Sequence, residues 1–379
     1  TKASGGAAGL AGSEADKPAE RLQDLLALDA LELSVGYALL PLIDLARNGE
    51  LPGRVTALRK QLAADLGIVL PSDHLRDNLQ IQANEYEIRL RGHRIGSGVA
   101  YPERLMALDQ NGQSPRIDGI PAKEPAFGLP AVWVLPKDRS TAEARGLTIV
   151  DAASMMTTHL SELLRQYAHE LVGRQEVQEL LSVVSKDAPK LVEDTVPGQV
   201  GLGELVRIVR GLLREGLSVR DLRTVLEAVG DAAPRSKDVP FLIEQVRRRL
   251  TRQITGRFAD PQGVVHAVNL DHPTEDLMRQ ALGNHDGEVV LNLDLDLARR
   301  LIQEVEAKVS LLSAAGHPGV IMAPPELRRP LFDFLSRFVG EVAVISAREL
   351  VTGTTVVPAG TIQLAPVPPS GAPRARAAA

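Results

Sequence analysis

The chain has 379 residues, 44% of them hydrophobic yet only 3% aromatic, and a formal net charge of −5 at pH 7. Such a length calls for roughly two to four modules with cores of Leu, Val, Ile and Ala, and the acidic balance argues against nucleic acid or anionic lipid as the main partner. No cysteine is present, which excludes disulfides, thiolate zinc sites and a cysteine nucleophile.

The opening TKASGG carries no initiator Met and no signal peptide, so the chain reads as a piece cut from within a longer protein. No apolar run approaches the roughly 18 to 20 residues that a bilayer span needs. Residues 1 to 17 are small, polar and low in complexity, and are expected to be disordered. Leu22, Leu25, Leu26 and Leu28 then recur at helical spacing after Pro18. A short amphipathic helix without a core of its own must dock, either on its own chain or on a neighbouring copy. LELSVGYALLPLID alternates as a strand through Leu31, Leu33 and Val35, and RVTALRKQLAADLG reads as a helix stopped by Gly67. NLQIQANEYEIRLRGHRIGSG is predicted as two strands around a turn at Ala83 and Asn84. The β-α-β-β order indicates an α/β module.

Residues 103 to about 150 are rich in Pro and Gly, with short strands such as AVWVLP and LTIVD, and look like an insert. DAASMMTTHLSELLRQYAHELVG is a strong helix, capped by Asp151 and closed by Gly173. Met156, Leu160, Leu163, Leu164, Tyr167 and Leu171 form its main stripe, while Met155 lies off it and is free to complete a second contact surface. From 174 to about 252 every segment is helical. Gly216 stops one helix, and Ser218 with Asp221 three residues on starts the next. GVVHAVNL and GEVVLNLDLD read as strands, and the strand–helix–strand run from Gly319 implies a parallel β-α-β unit. The Pro- and Ala-rich tail, 353 to 379, is expected to be disordered.

Signals for chemistry are weak. GLGEL at 201 to 205 lacks a third glycine and follows no strand, and no GxxxxGK[ST] run exists, so no nucleotide cofactor is expected. Asn292, Asp294 and Asp296 look calcium-like but lack the turn glycine and closing Glu, and read as one face of a half-buried strand. His159 and His169 are ten residues apart, about 15 Å along a helix, too far to share a metal. His159 is expected instead to be a hydrogen-bonding residue at the edge of the apolar stripe. The basic RRRLTR at 247 to 252 reads as a solvated helix face. No catalytic residue, metal site or cofactor is expected. There remains PAKEPAFGLPAVWV, which sets Phe127 and the sole tryptophan, Trp133, among Pro121, Pro125, Gly128 and Pro130. Either the insert tucks both rings under itself, or Phe127 and its neighbours line an open groove for a partner.

The runs IDGIPAKEPAFGLPAVWV, LTIVDAASMMTTHLSELLRQYAHELVGRQEVQELL, KLVEDTVP and LLREGLSVRDLRTVLEAV resemble the cytoplasmic half of the flagellar biosynthesis protein FlhA family, the large export-gate membrane protein of type III secretion. The resemblance covers about 18 to 352. It implies an α+β or α/β multidomain fold of four compact subdomains: a linker at 1–29 that docks Leu22 to Leu28 on the adjacent subunit, a first subdomain at 30–102 plus 152–171, a second inserted at 103–151, a helical third at 172–251 and an α/β fourth at 252–352. It further implies a non-enzymatic docking platform, a nonameric ring on the cytoplasmic side of the bacterial inner membrane, held there by a membrane region preceding this chain. Its expected partners are export chaperone–substrate complexes, export ATPase components and other export-gate proteins. The family's chaperone pocket falls on Glu124, Phe127, Val150, Met155 and Thr158. Two departures stand out: Glu124 occupies a position where Asp is common, and Met155, Met156 and Thr157 replace a frequent Val-Val-Ala before the THL motif. The alternatives are the homologous export-gate protein of a virulence injectisome and, from a different class, an α/β enzyme using Asp286 and Asp294.

Overall fold

The computed structural model describes residues 29–44, 49–70, 73–109, 115–285, 287–340 and 342–364. Leu22, Leu25, Leu26, Leu28 and Asp286 lie outside the described residues. The first subdomain opens with β1 (Leu31–Val35), whose Leu31, Leu33 and Val35 are buried, and a single turn, α1 (Leu40–Ile43). In α2 (Leu51–Leu66), Leu51, Val55, Leu58, Leu62 and Leu66 make one buried stripe, and Gly67 ends the helix at φ 77°. A Cβ on Gly67 would lie 2.2 Å from the Arg220 nitrogen, so the glycine also admits the helical subdomain. There the Val219 N–H donates to the Leu66 carbonyl at 2.9 Å.

β2 (Asp73–Asp77), β3 (Glu85–Leu90) and β4 (His93–Val99) complete a sheet ordered β2-β1-β3-β4, with β2 parallel to β1 and the other pairs antiparallel. The hairpin reverses at Arg91 and Gly92, φ 48° and 81°, and not at Ala83 and Asn84. The Ala83 carbonyl is instead held in the preceding loop, accepting from the Ala38 N–H at 3.0 Å. The edge strand β2, DHLRD, carries no hydrophobic alternation, and its existence was not foreseen.

The insert is a second sheet. β5 (Leu105–Leu108), β6 (Ile120–Lys123) and β7 (Pro130–Val134) are followed by α3 (Arg139–Ala144) and β8 (Thr148–Asp151), and the strands pair antiparallel in the order β6-β7-β5-β8. The pairing aligns Val150, Met106, Trp133 and Ile120 in one row across the sheet. That face joins the core of the first subdomain, whereas Ala107, Val132 and Val134 on the other face pack with Ala142 of α3. Trp133 is buried and meets Tyr101 edge-on, ring centroids 5.5 Å apart.

The chain returns through α4 (Ala152–Gln166), where the Asp151 carboxylate accepts from the Ser154 N–H at 2.8 Å as an N-cap. The expected helix to Gly173 breaks at Tyr167 into a short α5 (Ala168–Leu171), and Gly173 opens the next helix instead of closing this one. Its N–H donates to Glu176 at 2.7 Å. The third subdomain is helical as expected: α6 (Arg174–Asp187), α7 (Pro189–Thr195), α8 (Leu202–Arg214), α9 (Leu222–Ala232), α10 (Val239–Arg249) and α11 (Thr251–Phe258). Gly216, φ 67°, follows α8. The cap of α9 is Asp221, which accepts from the Thr224 N–H at 3.1 Å, while Ser218 only tightens the loop by accepting from the Arg220 N–H.

In the fourth subdomain, β9 (Val264–Leu270), α12 (His272–Gln280), a small hairpin of β10 (Leu282–His285) and β11 (Glu288–Leu291), α13 (Leu295–Ala314), β12 (Val320–Met322), α14 (Pro325–Leu335), β13 (Ala343–Ile345) and β14 (Thr355–Ile362) follow in turn. The main sheet is all parallel, ordered β13-β12-β9-β14. Two expectations fail here. Asn292, Asp294 and Asp296 do not share a strand, because Asp294 caps α13 by accepting from the Leu297 N–H at 2.9 Å. The subdomain also does not end at 352: β14 pairs along β9, and Ile362 and Leu364 are fully buried in its core. The composition of 353–364 was misleading, since Thr, Val and Ile there supply a strand that Pro358 and Gly360 interrupt only by a bulge.

Arg247 is no part of a solvated face. It is 2% exposed, and with Arg328 it is sealed between the third and fourth subdomains against Glu215, Glu244 and Glu349. Arg247 Nη1 lies 2.6 Å from Glu215, its Nη2 is 3.1 Å from Glu349, and Arg328 Nε is 3.0 Å from Glu244. Burial pushes the Glu215 carboxyl up, but the two guanidinium groups more than offset this and hold it below its ordinary range.

Candidate partner-docking site

The PAF turn is built by its acidic residue. Between β6 and β7 the Glu124 N–H donates to the Leu129 carbonyl at 2.8 Å and the Gly128 N–H returns to the Glu124 carbonyl at 2.9 Å. Gly128 sits at φ 71°, a conformation that disfavours any residue with a Cβ. The Glu124 carboxylate folds back over this loop: Oε1 accepts from the Ala126 N–H at 2.8 Å and Oε2 from the Phe127 N–H at 2.7 Å. Glu124 is therefore buried, 4% exposed, although charged. Phe127, held by the same turn, is 55% exposed. The two aromatics of PAKEPAFGLPAVWV thus divide the alternatives between them, Trp133 sealing the junction and Phe127 facing solvent.

The turn stands near a buried polar pair. Tyr86 Oη is 2.8 Å from His159 Nδ1 and 3.5 Å from Met155 Sδ. Burial pushes the Tyr86 phenol well above its ordinary pKa, and the negative charge of Glu124 pushes it the same way. Burial holds His159 down at about 4, so at neutral pH both groups are uncharged and one hydrogen bond satisfies them. His159 is thus the hydrogen-bonding residue its position suggested. Tyr86 was missed, but the alternation Tyr86, Ile88, Leu90 in EYEIRL signals an inward phenol whose hydroxyl needs a partner.

The five pocket positions separate by depth. Phe127 and Thr158 are exposed and Val150 is half-buried, opposite Met106 in the sheet register. Glu124 and Met155 are buried. Met155 leaves its expected second contact surface because α4 is packed on two sides, against α2 and against β4. Gly96 in β4 permits that approach, since a Cβ there would lie 2.4 Å from Leu163, and Gly98 leaves room for the Tyr86 ring of β3, whose Oη a Cβ would meet at 2.6 Å.

Elsewhere, an open depression of about 530 Å³ between α11 and the loop before β14 is lined by Arg252, Thr255, Asp260 and Thr352. Its carboxylate, Asp260, is committed to the Gln262 and Val264 N–H groups and to His266 Nε2. Convergent carboxylates of the kind a hydrolytic centre uses do not meet there. Among the described residues no cluster of three His, Asp or Glu is arranged to hold a metal ion, and no helix is long and apolar enough to cross a membrane.

Comparison with known proteins gives a consistent picture. The flagellar biosynthesis protein FlhA of Escherichia coli K12 is 38% identical over 322 residues, which is 85% of this chain and 46% of that relative, so the chain spans about half the relative's length. The Chlamydia pneumoniae CdsV protein, solved in complex with CdsO, shares the fold with a TM-score of 0.79 at 24% identity over 89% of this chain and 98% of that one. The nonameric SctV-C of EPEC does so with a TM-score of 0.72 at 20% identity over 88% and 98%. Residues 3–355 match the FHIPEP family, and the chain belongs to that family.

Proposed function

We propose that this chain is the cytoplasmic docking platform of a flagellar type III protein-export gate, which receives export chaperones with their cargo and performs no chemistry of its own. The observation that carries the reading is Phe127, a large apolar ring left 55% exposed on a turn that hydrogen bonds hold in place. An exposed aromatic anchor suits the apolar face of an amphipathic helix with a polar rim. The identity of 38% to a flagellar protein favours the flagellar branch over the injectisome branch.

The same reading extends to assembly. A nonameric homologue supports a ring of copies in the membrane, and the CdsV–CdsO complex supports a second partner belonging to the export ATPase apparatus. Calorimetric titration of the chain with a purified flagellar chaperone–cargo complex tests the central part. Saturable one-to-one binding is expected; no heat and no co-elution at protein concentrations of about 100 μM, where a Kd of that order would be visible, would remove the docking reading.

A further inference from the structure

The junction between the third and fourth subdomains carries an uneven charge count. Arg247 and Arg328 face three carboxylates, Glu215, Glu244 and Glu349, so full ionisation leaves one negative charge over. The three carboxylates are not alike. Glu215 meets both guanidinium groups. Glu349 is held by two nitrogens of Arg247 and by the Ser346 N–H at 2.8 Å, and lies 3.8 Å from Arg328. Among the described residues Glu244 meets Arg328 alone, and it shares that arginine with Glu215. Its side chain is also the most open of the three, 26% exposed against 8% and 1%, so solvent reaches it.

The charges on neighbouring elements are committed elsewhere. On α10 itself Arg248 is exposed and donates to Gln245, while Arg249 pairs with Asp231 of α9 at the surface. Arg223 and Glu227 of α9 pair with each other in solvent. Arg214, at the end of α8, and Arg329 of α14 share Asp333 at the rim, and Arg329 also acts on Glu215. Arg257 of α11 donates to the Glu215 carbonyl, and Arg252 lines the open depression. Arg348, beside Glu349, is exposed and acts on Glu326. Burial, joined by the negative charge of Glu215, outweighs Arg328 and Arg247 and holds the Glu244 carboxyl above its ordinary range.

We propose that this junction is a proton-operated clamp: a proton taken from solvent by the Glu244 carboxylate balances the two arginines against the two remaining carboxylates and tightens the third subdomain on the fourth. Once neutral, Glu244 keeps its carbonyl oxygen as an acceptor for Arg328, whose remaining donors stay on Glu215. Ionised, it leaves a surplus charge at a buried interface, which lowers stability there. The clamp stands apart from the docking surface at Phe127 and operates whether or not a partner is bound.

An acid held above its ordinary value binds its proton at higher pH in the folded chain than in the unfolded one. The junction therefore gains stability as pH falls from neutrality toward 4.5, and Glu244→Gln, neutral throughout, lacks that gain. Hydrogen exchange at the Ser346 amide, which is held on Glu349 inside the clamp, reads the effect. At about pH 7.5 it should run at least about threefold faster in the native chain than in Glu244→Gln, and at about pH 5 that ratio should have fallen by half or more. Glu227→Gln, on the exposed side of α9, should track the native chain at both values. A ratio that falls by less, or slower exchange in the native chain at about pH 7.5, would overturn the clamp, because Glu244 would then be an ordinary ion-pair partner. The same change in Glu227→Gln would overturn it too, by tracing the effect to surface charge in general. Should Glu244→Gln fail to fold, a carboxyl NMR titration of the native chain decides. A glutamate titrating above the ordinary range is expected, and none doing so would overturn the proposal.

Discussion

Where the third and fourth subdomains meet, two arginines are sealed against three glutamates; where the first and second meet, the contact is the apolar row of Trp133, Met106 and Val150 with a neutral Tyr86–His159 pair beside it and one partly exposed ion pair, Arg54 to Asp151 at 3.4 Å, at the rim. The difference sets which junction can yield. Sliding a buried ionic cluster leaves a charge without its counter-charge, at a cost of several kcal/mol. Sliding a sheet face over an apolar core exchanges one dispersion contact for another. The buried ionic junction therefore acts as a clamp, and any relative movement of the subdomains is expected at the insert, about the chain crossings near 102 and 151, where the Arg54–Asp151 pair is partly exposed and weak.

The largest effect should come from the clamp. Arg328→Ala takes from Glu244 its paired cation and from Glu215 one of two, and should lower unfolding stability by roughly 3–5 kcal/mol in denaturant titrations. A loss under about 1 kcal/mol would show that the cluster is solvated and the contrast between junctions unfounded. Next comes Met155, which bears on whether α4 offers its Met155 side to a groove or to the core. Met155→Ala should cost about 2–4 kcal/mol if the thioether fills the space beside Tyr86. A nearly neutral result would return Met155 to the pocket surface.

A smaller effect concerns pH. His159 has a folded-state pKa of about 4, below the 6.5 of an unfolded histidine, so its contribution is fully present above pH 6.5 and is lost as the unfolded chain takes up the proton. Between pH 7 and 5 the native chain should lose about 2 kcal/mol relative to His159→Gln, measured by paired denaturant titrations. Parallel pH profiles for the two proteins would mean that His159 is solvated and that the pair does not seal the junction.

Much of this fold was legible in the sequence because its helices carry long apolar stripes with identifiable stops, Gly67 and Gly216 among them, and because the insert differs so sharply in Pro and Gly content. The failures share a cause. β2 and β14 are edge strands held by backbone pairing with β1 and β9, and neither needs a hydrophobic alternation to form. Arg247 reads as one more cation in a basic run until the fold brings Glu215 and Glu349 from distant parts of the chain. At the candidate site the residue types were readable, but not their depth: the helical wheel places Met155 outside the main stripe, and only Gly96 of β4 explains why that side of α4 is covered too. Nor could spacing show that the Glu124 carboxylate turns back on its own loop.

The central claim, that an apolar anchor is presented at a junction sealed from beneath by other residues, is tested most directly at Phe127. Calorimetric titration of Phe127→Ala with a purified flagellar chaperone–cargo complex, beside its denaturant unfolding curve, separates the two roles an aromatic residue can have. The account predicts unfolding stability within about 0.5 kcal/mol of the native chain and affinity weakened by more than about 1 kcal/mol, roughly fivefold or greater. A destabilised variant, or a stable one that binds as tightly as before, would contradict it.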